Sequence, residues 1–392
     1  MEISKRVKSV KPSVTLAVTA KAKAMKAKGI SVINFGAGEP DFDTPGFIKD
    51  AATLAIDKGK TKYTPSSGTM ELKTAICAEL NRNSKLKYQP KQIIVSNGAK
   101  HSLYNIFQVI CEEADEIIIP SPYWVSYLEM VKLAGAKPVI AKSRQEDGFK
   151  PTIKALKAAI TKNTKALVLN SPCNPTGVVY DKALLKAIAD IAVEKNIIVI
   201  SDEIYKMLIY DGEDYCSIAS FGDDIKKLTI VVDGVSKSYS MTGWRIGYLA
   251  SENSTVIDAI ENLQSHSTSN PCSISQEAAL CALQSDDSSV RAMRSEFEKR
   301  RDYMAGALNK IKDLYCVKPE GAFYCFCDIS KTKMDSLEFA DKLLDFEKVA
   351  VIPGGDFGWP NHIRLSFATS MSDIEEGMKR IEKFVSKLKI KN

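Results

Sequence analysis

Six short apolar runs punctuate the chain between residues 92 and 234: QIIVSN at 92–97, DEIIIPS at 115–121, KPVIAK at 137–142, KALVLNSP at 165–172, NIIVISDE at 196–203 and LTIVVDG at 228–234. Most are continuous rather than alternating, the pattern of strands buried on both faces. Helix-length amphipathic stretches separate them from about residue 70 to 250. The interleaving predicts an α/β fold, a mainly parallel sheet flanked by helices. Beyond about residue 285 the pattern changes. A long charged helix, SSVRAMRSEFEKRRDYMAGALNKI, leads into short strands and closing helices, which predicts a second, smaller α+β domain.

Composition narrows the classes of function. At 392 residues the chain suits about two domains. Its 54 basic and 48 acidic residues are mixed along the chain, and the net charge of +6 is no sign of nucleic-acid binding. Nine scattered cysteines form no C-x-x-C pair, which fits reduced thiols. With neither a signal-peptide core nor an apolar run long enough to span a bilayer, the reading is a soluble cytoplasmic protein without a membrane partner. His101, His266 and His362 are the only histidines and lie far apart in sequence. We read them as structural, and no metal is expected.

Ligands of a parallel sheet bind at the carboxyl ends of its strands, and several polar groups fall there. VSNGAKHSLYNIF runs from a strand through Gly98 into a helix beginning near Ala99, whose free amides and dipole suit a phosphate. LNSPCNPTG carries Asn174 after a strand, and VISDEIYKMLIY carries Asp202 at a strand end with Tyr205 three residues on. Lys237, in SKSYSMTGWRIGY, falls where a strand gives way to a loop, with Arg245 eight residues later. Each signal has a plain structural alternative: a solvated lysine, a helix-capping aspartate, a turn asparagine.

Taken in order, N-P-T-G, S-D-E-I-Y, and S-K with M-T-G-W-R resemble the fold-type I pyridoxal-phosphate aminotransferases, specifically the bacterial-type aspartate aminotransferase subgroup. KPSVTLAV, GAGEPDFDTP, KYTPSSG, SPYWVSY, GAFY and IRLSFATS extend the resemblance over nearly the whole chain. It implies a large cofactor-binding domain over 46–286, with 1–45 and 287–392 as N-terminal arm and small domain. It implies that Lys237 holds the aldehyde of pyridoxal phosphate and then moves a proton, that Asp202 pairs with the ring nitrogen, and that Asn174 and Tyr205 reach the ring oxygen. Trp124 would stack on the ring, and Arg245 with the Gly98 and Ala99 amides would take the phosphate. Tyr63 would reach the phosphate of another subunit, so a homodimer with shared sites is expected. One departure stands out: many relatives carry serine three residues before the lysine, and this chain has Gly234.

For substrates, the resemblance implies that Arg364 grips the α-carboxylate with help from Asn174 and the Gly38 backbone. Ser13, Thr15 and Lys100 would read a distal carboxylate. A lysine at a helix N-terminus is disfavoured by the dipole, which points to an anionic partner for Lys100. The expected reaction moves an amino group between aspartate and 2-oxoglutarate by a ping-pong route; the alternatives are a prephenate aminotransferase making arogenate, or a pyridoxal-phosphate enzyme acting on another amino acid. A nicotinamide dehydrogenase would want G-x-G-x-x-G, and GAGEPD lacks the third glycine.

Overall fold

The computed structural model describes residues 2–12 and 14–388, with the side chains of 14–16 outside that description. Thirteen strands organise it: β1 Ile33–Asn34, β2 Ile93–Ser96, β3 Glu116–Ser121, β4 Lys137–Lys142, β5 Thr164–Asn170, β6 Ile198–Asp202, β7 Thr229–Gly234, β8 Gly247–Ala250, β9 Tyr315–Cys316, β10 Tyr324–Asp328, β11 Val349–Ala350, β12 Ile352–Pro353 and β13 His362–Ser366. The seven-stranded sheet runs β2-β8-β7-β6-β5-β3-β4. Every pairing in it is parallel except those made by β8, which lies antiparallel between β2 and β7. All six apolar runs are strands of this sheet. β8 was not anticipated, because GYLA is only four residues long and reaches its place without a helical crossover.

Both faces of the sheet are covered. Ile94, Ile117, Ile119, Val168 and Ile200 pack on one side with Leu103, Ile106 and Phe107 of the helix Ala99–Ile110. Leu167, Leu169 and Val199 face the other, against Leu185, Ile188 and Ala192 of the helix Lys182–Lys195. This two-sided burial is why the strands read as continuous apolar runs.

The second unit is built on an antiparallel sheet in the order β12-β13-β10-β9. The charged helix Ser288–Lys310 buries Met293, Phe297, Met304 and Leu308 against it. The final helix, Met371–Leu388, places Ile374, Met378, Ile381, Phe384 and Val385 on one face in the same core, each worth about 1.5–3 kcal/mol when fully buried. β1 pairs in parallel with β11. An early segment of the chain therefore pairs with a late one. All nine cysteines are unpaired. Among the described residues, no helix is long and apolar enough to cross a membrane, and no His, Cys, Asp or Glu cluster could hold a metal.

Candidate active site

The carboxyl ends of β2, β3, β5, β6 and β7 share one edge of the large sheet, and β8, running the other way, starts there. Register makes the edge compact: Asn170 pairs with Asp202 and Gly234 with Gly247. Lys237 lies three residues beyond β7, in a helical turn at Val235–Ser238 rather than an open loop. Its Nζ donates to the Gly38 carbonyl at 2.6 Å and sits 6.0 Å from the centre of the Phe323 ring. Burial is the main cause that lowers its pKa to about 8; Arg245 and Arg364 act with it, while Glu39 and Asp202 oppose it. Near neutrality a usable fraction is the free amine, the nucleophilic form.

Asp202 closes β6 and is 4% exposed. Its carboxylate accepts from Tyr127 Oη at 2.5 Å and from the Ile204 amide at 3.3 Å. Burial raises its pKa to about 6, against the lowering effect of those two bonds and of Lys237. Tyr205 is buried and shares a 3.0 Å hydroxyl contact with Tyr324. The Asn174 backbone N–H donates to Asn170 Oδ1 at 2.9 Å, which sets its turn beside Asp202.

At the phosphate end, Gly98 opens the helix Ala99–Ile110 with φ of 85°, a region open to glycine at little strain. A Cβ on Gly98 would lie 2.3 Å from Arg245 Nη2, and one on Gly247 would lie 2.1 Å from the Ala99 nitrogen. Both glycines thus permit close approach of Arg245 and β8 to the helix start. Arg245 donates to the Thr242 and Asn97 carbonyls at 2.9 and 3.2 Å, bonds that leave its charge unneutralised. Gly234 also has a steric reason: a Cβ there would lie 2.8 Å from the Ile246 carbonyl oxygen. Its pairing with β8 leaves no room for the serine of many relatives, and the neighbouring Ser236 and Ser238 are buried.

Arg364, on β13, is 2% exposed. It donates to Asn174 Oδ1 at 2.9 Å and to the Gly36 carbonyl at 3.2 Å, and lies 4.4 Å from the Tyr324 ring centre. Its Nε has no partner among the described residues, and burial lowers its pKa. A buried guanidinium without a carboxylate partner among the described residues suits an incoming carboxylate. Lys100 Nζ sits 4.8 Å over the Trp124 ring, and Trp124 meets Tyr127 edge-on at 5.3 Å. These contacts join Lys100 to the Asp202 partner. Burial and then Arg245 lower the Lys100 pKa.

The geometry therefore links Lys237, Asp202, Tyr205, Asn174, Trp124, Gly98, Ala99, Arg245, Arg364, Lys100 and Gly38 near the carboxyl edge of the large sheet. Tyr63 lies apart, 90% exposed. Ser13 and the side chain of Thr15 lie outside the described residues. Tyr127 and Tyr324 were missed as partners, although both stand in the quoted motifs SPYWVSY and GAFY; their spacing gave no sign of which distant group each would meet. The site fits pyridoxal phosphate: a strained loop with Arg245 at φ 57° beside a helix start for the dianion, an amine near neutrality for the aldehyde, and a buried carboxylate for a protonated ring nitrogen.

Comparison with known proteins agrees over the full length. The model of aminotransferase class I and II matches residues 30–381. The aspartate aminotransferase of Bacillus subtilis is 50% identical over 99% of this chain and 100% of its own. The probable aspartate/prephenate aminotransferase of Aquifex aeolicus is 46% identical, covering 98% of this chain and 99% of its own. The Thermus thermophilus aspartate aminotransferase structure with maleate superposes with a TM-score of 0.94 at 42% identity, over 98% of this chain and 99% of that one. Residues able to hold the cofactor and relatives matched along their whole length lead to one assignment: the chain belongs to the class I and II aminotransferases, pyridoxal-phosphate enzymes that act on amino acids and 2-oxo acids.

Proposed function

We propose that this aminotransferase exchanges the amino group of aspartate with 2-oxoglutarate, giving oxaloacetate and glutamate. The observation that carries the reading is Arg364, a buried guanidinium that has no carboxylate partner among the described residues and a buried Nε left without a hydrogen bond. It would take the α-carboxylate of donor and acceptor in turn. Pyridoxal phosphate, when bound, supplies the carbonyl that takes the amino group and a ring that accepts electrons from the substrate α-carbon. Lys237 would hold the cofactor and, once released, carry the proton to and from that carbon. Asp202 would keep the ring nitrogen protonated, and the Arg245 guanidinium with the helix start at Ala99 would hold the phosphate.

Lys100, with Ser13 and Thr15, is our candidate reader of the second carboxylate. The full-length likeness to aspartate aminotransferases supports a dicarboxylic substrate, as does the maleate of the Thermus structure. A second reading, prephenate as acceptor, draws on the relatives named aspartate/prephenate aminotransferase. Half-reactions of the purified enzyme with aspartate, glutamate, prephenate and alanine, followed by the cofactor spectrum, separate the two. In the same assay Lys100→Met is expected to weaken kcat/KM for aspartate by roughly 1.5–3 kcal/mol, a charge-assisted hydrogen bond, and to spare alanine. Equal losses on both substrates would remove Lys100 from the specificity site.

We further propose a homodimer in which Tyr63 completes the partner's phosphate site. An aromatic side chain 90% exposed on an otherwise well-packed unit supports this. Mixing a Lys237→Ala parent with an inactive Tyr63 variant is expected to restore activity through hybrid dimers; no recovery after demonstrated subunit exchange would refute the shared site. The nine unpaired thiols support a reducing, cytoplasmic setting.

A further inference from the structure

Between β1 and residue 44 the chain crosses from the small unit to the large one, and it is bonded alternately to both. The Gly36 carbonyl accepts from Arg364 at 3.2 Å, and the Gly38 carbonyl, two residues on, accepts from Lys237 at 2.6 Å. Glu39 accepts from Thr242 Oγ1 at 2.8 Å. The Asp41 carboxylate takes both its oxygens to Arg300 Nη1, at 2.8 and 2.9 Å. Thr44 Oγ1 donates to the Ser240 carbonyl at 2.7 Å and accepts from Trp244 Nε1 at 3.0 Å. This segment thus touches Arg364 and Lys237 directly, together with the loop that carries Arg245.

The anchor on the small unit is Arg300, on the helix Ser288–Lys310 and 7% exposed. Its guanidinium lies 5.0 Å from the Phe42 ring centre and 5.7 Å from that of Phe297, and Phe42 meets Phe297 edge-on at 5.3 Å. Its Nε is spent on Glu296 at 3.1 Å. Two ring contacts and a charged pair on one buried group define a single orientation better than a surface lysine would.

We propose that Arg300 is a positioning residue for the reaction: by clamping Asp41 and Phe42 it fixes the path of Gly36–Thr44, so that the Gly36 carbonyl keeps Arg364 aimed at the substrate. The proposal rests on the reading of Arg364 as the carboxylate anchor. A loosened clamp leaves the reacting groups intact but lets Arg364 wander, so the loss falls on substrate capture rather than on turnover.

The test uses the holoenzyme with aspartate and 2-oxoglutarate. Arg300→Met and Asp41→Asn are each expected to raise KM about tenfold with kcat within about twofold, the magnitude of one weakened charged contact. The double variant is expected to be no worse than either single one, because both remove the same clamp. Arg300→Lys should fall between, and Glu296→Gln, which touches Arg300 but not the crossing segment, should leave KM unchanged. Asp41 sits at the surface, so its variant is expected to fold even where Arg300→Met does not. A lowered Tm with unchanged KM in Asp41→Asn and Arg300→Met would reduce the pair to a structural one and overturn the proposal, as would multiplying effects in the double variant. Arg364→Leu is the control: a raised KM there with none in Arg300→Met overturns only the clamp, whereas an unchanged KM in Arg364→Leu overturns the carboxylate reading and the clamp with it.

Discussion

Lys237→Ala is expected to lower transamination by about 10⁴-fold, the upper range for a positioned proton-transfer group. Two losses combine. The amine that would hold the cofactor is gone, and with it an amine acted on by Asp202, Arg245 and Arg364. The Gly38 carbonyl also loses its 2.6 Å donor. The fold should survive, because removing the amine takes away a group whose charged form burial already disfavours. Borohydride treatment followed by peptide mapping should fix the cofactor to Lys237 in the native enzyme and to no residue in the variant. Added small amines should restore part of the activity, since they replace the proton carrier without the tether. Label on another lysine, or a variant within tenfold of native turnover, would end the assignment.

Asp202→Asn is expected to separate stability from activity. The buried carboxylate is held at about pKa 6, above the usual value near 4. The folded, cofactor-free protein therefore binds a proton more tightly than the unfolded chain between pH 4 and 6. Stability from this group is present below about pH 4 and is lost as pH rises through 6. Asparagine removes that penalty while its one side-chain oxygen still accepts from Tyr127; its amide nitrogen cannot accept from the Ile204 N–H. Cofactor-free Asp202→Asn should then be more stable than native at pH 7.5, by up to roughly 3 kcal/mol, and the gain should vanish near pH 4. With pyridoxal phosphate bound the sign reverses for function: kcat should fall about 10²–10³-fold, the scale of one lost preorganised electrostatic contact. Thermal melts at the two pH values and steady-state kinetics check both halves. Native-like turnover in the folded variant would exclude Asp202 as the partner of the ring nitrogen.

Much of this site could be read from the linear chain because of where its residues stand relative to local elements. Asp202 ends an apolar run, Asn174 follows another, and Gly98 precedes a helix. Such positions are dictated by hydrophobic periodicity and by helix-start chemistry within a dozen residues. A continuous apolar run has few ways to be buried, so the parallel sheet and its carboxyl edge follow from it, and the edge predicts where ligands bind.

Contacts across long separations were not legible in that way. Tyr127 meets Asp202 across 75 residues, Arg364 meets Asn174 across 190, and Arg300 meets Asp41 across 259. No local pattern marks which of 54 basic residues will be buried against a given carboxylate, because that choice depends on how the two units close on each other. The same holds for Gly234. As a letter in the sequence it was a missing serine; only the antiparallel return of β8, which brings the Ile246 carbonyl to within 2.8 Å of where a Cβ would stand, shows that no side chain fits there. The chain by itself determined the six apolar strands of the large sheet and the residues offered at their ends, since these depend on local periodicity and burial. The tertiary structure decided the partners, the protonation of Lys237 and Asp202, and the clamp on Gly36–Thr44, since each depends on which charges and rings are packed together away from water.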